Sequence, residues 1–327
     1  MAVTDEKQTN YGRRIFWLGV FVIVLCAGYT AGWYYLAGAF EKSARQTIAK
    51  MNSNGVSADC ENPVARGFPF RLGLYCDRVS FSDPAEAVGF TAGEFRSAGQ
   101  IYDPFRFVAE LDGPAMVDTP GSGALNLDWD IMRASVRWAE PLPERVSLEG
   151  GNVAASLVTG KQLGTVGDFQ AHLRPNGQDL DIATSFDNLI VDPSRVDGRK
   201  LPPLSGQTDL TIDNGVGLVG TGIQNLRGQS GTIREASLFS GPKTGLTISG
   251  PFSIGEDGLI DADLKITVRN PNGLSTVLAV AFPENSDEII AGVSALSFMG
   301  NAPSLPLTIK KGRANISFVK LGNIPPL

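Results

Sequence analysis

Two cysteines, and the short run of aromatic and cationic residues between them, have the types and spacing that could do chemistry. Cys60 and Cys76 form an even pair outside the apolar N-terminal segment, so they predict a disulfide and an oxidising compartment. Redox enzymes use a C-x-x-C spacing, which this pair lacks. We therefore interpret the pair as a structural crosslink; two buried free thiols are the alternative. Cys26 lies in an apolar segment and is expected to pack as a small apolar residue.

Apolar rings alternate with cationic side chains between the two cysteines. Phe68 and Phe70 are candidates for an apolar opening close to a membrane. Arg66 and Arg71 flank them and are candidate contacts for a lipid headgroup, because a guanidinium can hold a phosphate through two hydrogen bonds. The alternative interpretation is a crosslinked N-terminal hairpin without a ligand.

The remaining residues offer little catalytic chemistry. His172 is the one histidine, and three cysteines are too few for a zinc ribbon. No nucleophile elbow, P-loop, zinc-protease or dinucleotide motif occurs, and Asp261 and Asp263 lack the spacing of an EF-hand. We predict a non-enzymatic protein with no catalytic residue, metal or cofactor. A hydrolase remains the alternative if distant carboxylates converge.

The net charge of the chain limits the kinds of partner that it can bind. A formal charge of −6 and a pI near 5.0 do not fit the basic face that a nucleic-acid-binding protein needs. We therefore predict no nucleic-acid partner.

An uncharged apolar segment from Ile15 to Phe40 is long enough to cross the ~30 Å hydrocarbon core of a bilayer. Arg13 and Arg14 precede it, which favours a cytoplasmic N-terminus. The predicted domains are a cytoplasmic tail at 1–14, a transmembrane helix at 15–40, a helical juxtamembrane linker at 41–54 and a periplasmic β-rich domain at 55–327.

Two other interpretations of the N-terminal segment stay open. Residues 37–39 (A-G-A) match the small-residue pattern of a signal-peptide cleavage site. Arg13 and Arg14 also match the paired arginines of a twin-arginine signal. Both alternatives still export the rest of the chain.

Apolar and polar residues alternate through most of the exported part, as in Leu264, Ile266 and Val268, and turn signals at 175–177 and 213–215 divide such runs. The pattern predicts a mainly β fold, with a large antiparallel ectodomain that is either one curved sheet or a sandwich. A small helical insertion is expected near 271–300. Its helices would begin at Pro271, after Asn270, and at a Ser286 cap.

The chain resembles domain-of-unknown-function family 2125, uncharacterised envelope proteins of alphaproteobacteria. The resemblance is carried by the membrane anchor, by the G-F-P-F-R element at 67–71 between the cysteines and by the I-P-P-L end at 324–327. It implies an inner-membrane anchored periplasmic protein of mostly β structure with no established activity. In architecture the chain is also similar to the AsmA-like envelope proteins, which are associated with lipid homeostasis.

These patterns together predict a single-pass protein of the bacterial inner membrane, with its bulk in the periplasm. We predict that it binds a phospholipid or fatty acid in an apolar β groove for envelope homeostasis. The alternative is an envelope scaffold or accessory subunit that binds another protein and holds no ligand.

Overall fold

One long helix and a large β-sheet make up the computed structural model, which describes residues 11–53, 55–120, 123–220, 226–317 and 319–327. Residues 1–10 of the predicted tail, and Asn54 at the end of the predicted linker, lie outside the described residues. The helices are α1 (Tyr11–Asn52), α2 (Gly215–Gly220), α3 (Pro271–Ala281) and α4 (Ser286–Ala295).

The described residues form twenty strands. They are β1 (Ser57–Cys60), β2 (Val64–Arg66), β3 (Arg71–Cys76), β4 (Val79–Asp83), β5 (Val88–Ala92), β6 (Phe95–Gln100), β7 (Asp103–Leu111), β8 (Ala115–Thr119), β9 (Gly123–Asp128), β10 (Ile131–Arg137), β11 (Arg145–Leu157), β12 (Gln162–Asn176), β13 (Asp179–Val191), β14 (Leu204–Ile212), β15 (Ser230–Ser240), β16 (Thr244–Ile254), β17 (Ile260–Arg269), β18 (Ser304–Lys310), β19 (Arg313–Ile316) and β20 (Val319–Asn323).

Helix α1 runs without interruption through the predicted transmembrane segment and most of the predicted helical linker. Its mean hydropathy reaches 2.0, and among the described residues it is the one helix long and apolar enough to cross a membrane. Beyond Phe40, hydrogen bonds from polar side chains hold the helix to the first strands.

The strands form one antiparallel meander. The chain first crosses the sheet five times, and each crossing is divided into two short strands: β1 and β2, β3 and β4, β5 and β6, β7 and β8, β9 and β10. The two strands of each crossing pair with the two strands of the next crossing. The tenth strand leads into β11, which pairs with β9, β10 and β12, and β12 to β20 then follow in chain order. The result is one continuous sheet, and the predicted antiparallel β fold is confirmed.

The points at which the first five crossings are divided lie next to one another across the sheet. In the longer strands β11 and β13 a single irregular residue takes the same position. Asn62, Asn152 and Asn188 adopt left-handed φ angles of 51°, 51° and 53° at these points. Asparagine tolerates that conformation because its short side chain can hydrogen-bond locally. A bend therefore crosses the N-terminal half of the sheet.

The alternation of side chains gives the sheet one apolar and one polar face. On the apolar face Val146, Leu173, Ile182 and Leu210 lie opposite one another in β11 to β14. The polar face carries the intervening charged residues. The register therefore keeps these four apolar residues on one face from β11 to β14.

The apolar face is closed at one end of the sheet and open towards the other. Ala262, Leu307 and Ile309 in β17 and β18 are 4–9% exposed and form a core cluster, whereas Phe107 in β7 is 40% exposed. The accessible surface of 20746 Å² compares with roughly 13,000 Å² for a compact monomer of this mass. The exposed helix α1 accounts for part of this excess accessible surface, and the half-exposed apolar face of the sheet accounts for another part.

The helical insertion lies where it was predicted, between β17 and β18. Asn270 caps α3 by accepting a hydrogen bond from the Gly273 N–H (3.2 Å), and Pro271 occupies the first position. Ser286 is the first residue of α4 and not its cap, because the N-cap position falls on Asn285, so that detail of the prediction was wrong by one residue. Helix α3 buries Pro271 and packs on the ends of β16 and β17.

Candidate functional site

The two cysteines that lie beyond helix α1 form a disulfide. Cys60 ends β1 and Cys76 ends β3, and their Cα atoms are 5.3 Å apart. Beside them the Glu61 N–H donates to the Arg78 carbonyl, and the Asp77 N–H donates to the Glu61 carbonyl, both at 2.9 Å. The disulfide therefore crosslinks the first two passes of the sheet at their bend. The predicted crosslink is present in the structure.

The turn between β2 and β3, residues 67–70, is docked on helix α1. The Phe68 ring lies 5.5 Å from the Trp33 ring, edge to face, and 6.1 Å from the Tyr34 ring, stacked. Trp33 Nε1 donates to the Arg71 carbonyl at 3.0 Å, and Trp33 is only 5% exposed. The Tyr29 hydroxyl donates to the Pro69 carbonyl. The turn is therefore held against the second half of the apolar segment of α1.

Above this contact, polar side chains of α1 cover the edge of the sheet. Glu41 Oε1 accepts from the Ala65 N–H (2.7 Å), and Asn52 both accepts from the Ala58 N–H (2.6 Å) and donates to the Ala58 carbonyl (3.0 Å). Arg45 donates to the Pro63 carbonyl at 3.1 Å. These bonds satisfy backbone groups that an uncovered edge strand would leave open to other chains.

The structure divides the four predicted site residues between two places. Phe68 contacts the helix, and Phe70 is exposed beside the next turn, where its carbonyl accepts from the Ile101 N–H (3.1 Å). The Arg66 guanidinium lies 5.1 Å from the centre of the Tyr75 ring. Arg71 lies on the polar face and lines a cavity of about 540 Å³. Phe68 thus meets helix α1, Phe70 lies at the next turn, and the arginines extend onto the sheet.

Sequence reasoning missed an arginine row on the polar face, defined by Arg106, Arg137, Arg145 and Arg174. Arg106 lies directly opposite Arg137, and Arg137 lies directly opposite Arg145, on β7, β10 and β11. Arg174 on β12 stands one residue beyond the Val146–Leu173 pair, next to Arg145. The four are far apart in sequence. Their shared signal is that each lies close to a turn at the end of its strand.

The arginine row lines a cavity of about 550 Å³ together with Glu140 and Glu144. Arg106 also lines the cavity that contains Arg71, so the two cavities share a lining residue. Arg71 begins β3, directly after the turn that is docked on α1.

Asp181 ends the arginine row as its one nearly buried carboxylate. It accepts from Arg174 (2.8 Å), Thr211 (2.8 Å) and Arg234 (3.0 Å). The Arg174 hydrogen bond is the largest cause that lowers the pKa of Asp181 to about 2, with the Thr211 and Arg234 bonds adding to it. Asp209, followed by Asp181, raises the pKa of Arg234 above its usual value. This network joins β12 to β15 by ion pairs.

Metal ligands do not converge in the part of the chain that the structure describes, where no group of three or more histidine, cysteine, aspartate or glutamate side chains is arranged to hold an ion. His172 is exposed, and its Nδ1 lies 2.8 Å from the Ser147 hydroxyl.

Comparison with known proteins gives a family without an assigned activity. No curated protein matches the chain. The likeness to AsmA-like proteins stays a prediction. A family model described as "Uncharacterized protein conserved in bacteria (DUF2125)" matches residues 33–325, which include the docked turn, the disulfide and every strand of the sheet. The chain therefore belongs to the DUF2125 family of uncharacterised bacterial proteins.

Proposed function

We propose that this protein is a non-enzymatic, single-pass protein of the bacterial inner membrane, whose periplasmic sheet binds the acyl chain of a lipid on its apolar face for envelope homeostasis. The observation that carries the proposal is the open half of that face. A continuous row of apolar side chains without a covering layer is the kind of surface that takes up an apolar ligand.

The contacts of α1 support an anchor that stays attached. Cleavage after Ala39 would remove Trp33 and Tyr34, and would leave Phe68 and the Arg71 carbonyl without their partners. The disulfide supports an oxidising compartment for the ectodomain, and the two arginines before the apolar segment support a cytoplasmic N-terminus.

The docked turn supports a route from the bilayer to the sheet. Trp33 and Tyr34 lie near the end of the apolar segment, where aromatic residues favour the membrane–water interface. Phe68 packs against both rings, which holds Phe70 and the start of β3 near the same end of the apolar segment. In this proposal Phe68 and Phe70 form the opening at the turn. Arg66 and Arg71, on the polar face beside that turn, contact the anionic headgroup, and the acyl chain passes around the turn onto the apolar face.

A photo-crosslinking amino acid placed on each face in turn tests the proposal. Phe169 points to the apolar face of β12 and its neighbour Gln170 points to the polar face, so the two sites differ in little else. We expect phospholipid adducts from position 169 and none from position 170 when membranes containing the full chain are irradiated and analysed by mass spectrometry. Equal labelling at both positions, or none at 169, would overturn acyl binding on this face.

The alternative function, an envelope scaffold or accessory subunit that binds another protein, is favoured by one observation. Phe298 follows α4 and is 94% exposed, and Met299 beside it is also exposed. A crosslinker at Phe298 that yields a discrete protein adduct, together with no lipid adduct at Phe169, would support the scaffold.

A further inference from the structure

We infer that the arginine row is a binding site for a phosphate-bearing anion. The site lies on the polar face of the sheet, opposite Val146 and Leu173 of the apolar face, so it goes beyond acyl-chain binding and does not depend on it. Its ligand chemistry is a phosphate group, supplied either by a lipid headgroup or by a free phosphate compound.

The first argument is electrostatic. Like charges directly opposite one another in adjacent antiparallel strands destabilise a sheet, and this sheet places three arginines in succession in that relation. The chain as a whole carries a formal charge of −6, so the concentration of cations is not a consequence of a basic composition. An anion bound between the guanidinium groups would remove the repulsion.

The second argument is that two guanidinium groups of the row have hydrogen-bond donors free for a ligand. Arg137 is paired with Glu144 (3.1 Å) and Arg174 with Asp181 (2.8 Å). Arg106 and Arg145 have no carboxylate within 4.0 Å among the residues that the structure describes. By contrast, Arg133 on the same face is held by Glu110 (2.7 Å) and Glu149 (3.1 Å). Two guanidinium groups in the arginine row are therefore available to a ligand.

The third argument is geometric. Neighbouring strands are ~4.8 Å apart, so Arg106 and Arg145, two strands apart on either side of Arg137, lie about 10 Å apart at their backbones. Long side chains converging from that separation can reach one tetrahedral anion. The guanidinium fork matches phosphate oxygens bidentately. The cavity of about 550 Å³ in front of them is larger than a free phosphate and also admits a headgroup.

Thermal unfolding of the full chain in a neutral detergent, with inorganic phosphate as the probe, tests the site. We expect phosphate to raise the Tm by about 2–4 °C more than sodium chloride of the same ionic strength, because a ligand that binds only the folded state stabilises it. Arg106→Gln/Arg145→Gln should abolish this increase. In phosphate-free buffer the same double variant should have a Tm equal to or above that of the wild type, because the repulsion is relieved.

Arg78→Gln is the control, because Arg78 is an exposed arginine just before β4 and outside the arginine row. It should keep the full phosphate response, and Arg145→Lys should reduce that response because lysine lacks the planar fork. The inference is overturned if phosphate acts no differently from chloride, if the double variant keeps the response or if Arg78→Gln loses it.

Nanodiscs distinguish the two sources of phosphate. If the phosphate response seen in phosphatidylcholine discs disappears in phosphatidylglycerol discs, an anionic headgroup already occupies the site. If it persists equally in both, the ligand is a free phosphate compound. Either result supports the site, and neither depends on the crosslinking result at Phe169.

Discussion

Arginine has two different roles in this protein, and the groups around each guanidinium decide which role it has. Arg96 and Arg234 are held by several carboxylates, and Asp112 in the first case and Asp209 in the second are the main causes that raise their pKa values. Such arginines join neighbouring strands. Arg106 and Arg145 lack such partners among the described residues, which leaves them free for a ligand.

Replacing Asp181 should reveal how much the first role contributes. The pKa of Asp181 is about 2 in the folded protein against ~3.9 in an unfolded chain, so its ionised form stabilises the fold. We expect Asp181→Asn to lower the free energy of unfolding by about 2–3 kcal/mol at pH 7. Because the folded pKa is depressed, this contribution is complete above about pH 5 and is lost as the pH falls towards 2.

Denaturant unfolding of both proteins between pH 7 and pH 2 measures this difference. Asp168→Asn is the control, since Asp168 is an exposed aspartate of the neighbouring strand. A difference between wild type and Asp181→Asn that stays constant down to pH 2 would contradict the ion-pair explanation.

Gly73 is required by the close approach of two strands. A Cβ atom at this position would lie 1.6 Å from the Ser97 carbonyl oxygen, which is backbone and cannot turn aside. We expect Gly73→Ala to lower the free energy of unfolding by about 1–3 kcal/mol. Thermal unfolding of the two variants measures the difference. In Gly89→Ala the atom nearest to the added Cβ would be 3.5 Å away, so its free energy of unfolding should stay within about 0.5 kcal/mol of wild type. Equal losses would show that the backbone accommodates the methyl group.

At the scale of elements, α1 has two functions along its length. Its first part is an apolar helix with exposed side chains, as a membrane span requires. Its second part covers the edge strands β1 and β2 with Glu41, Arg45 and Asn52. The contact of Trp33 with the turn at 67–70 lies where the two parts meet and holds the first strands of the sheet against the apolar part of the helix.

Trp33→Ala should free this turn while the helix itself persists. The change removes the ring packed against Phe68 and the bond to the Arg71 carbonyl, a loss of about 3 kcal/mol for a buried tryptophan. We expect faster hydrogen–deuterium exchange in residues 64–71 of the full chain in detergent. Tyr35→Ala is the matched control, because Tyr35 is two positions away and 78% exposed. Faster exchange in both variants would indicate that the helix, and not the contact, was disturbed.

At the scale of the whole molecule, the sheet is most secure at the β17–β19 end, where its apolar face is closed by the core cluster. The opposite end has a half-exposed apolar face and depends on other restraints. These are the helix that covers its edge and the Cys60–Cys76 disulfide. The half of the sheet with the open apolar face is therefore also the half that is restrained by α1 and by the disulfide.

Removing the disulfide should destabilise the whole protein through its open end. Cys60→Ser/Cys76→Ser is expected to cost ~3 kcal/mol, from the entropy that the unfolded chain regains over a separation of 16 residues. Thermal unfolding with and without reductant measures the effect, and the reduced wild type should match the variant. Cys26→Ser, at an exposed position of α1, should unfold like the oxidised wild type. A variant as stable as the oxidised wild type would mean that packing alone secures this end.

Local patterns carried most of the information about the elements. The uncharged run at 15–40 predicted the helix, alternation predicted the antiparallel strands, and Asn270 with Pro271 predicted the start of α3. The exact cap of α4 was missed because Ser286 and Asn285 are both good caps, and local sequence does not separate them.

The sequence by itself determined the elements, the disulfide and the family, because each depends on neighbours in the chain or on a compact motif. Only the tertiary structure decided between one continuous sheet and a sandwich, and only it brought Arg106, Arg137 and Arg145 together. Strand register depends on which passes pair across the sheet, and side chains that meet in this way are dozens of residues apart. Their charge–charge contacts have no signature in any single stretch of sequence.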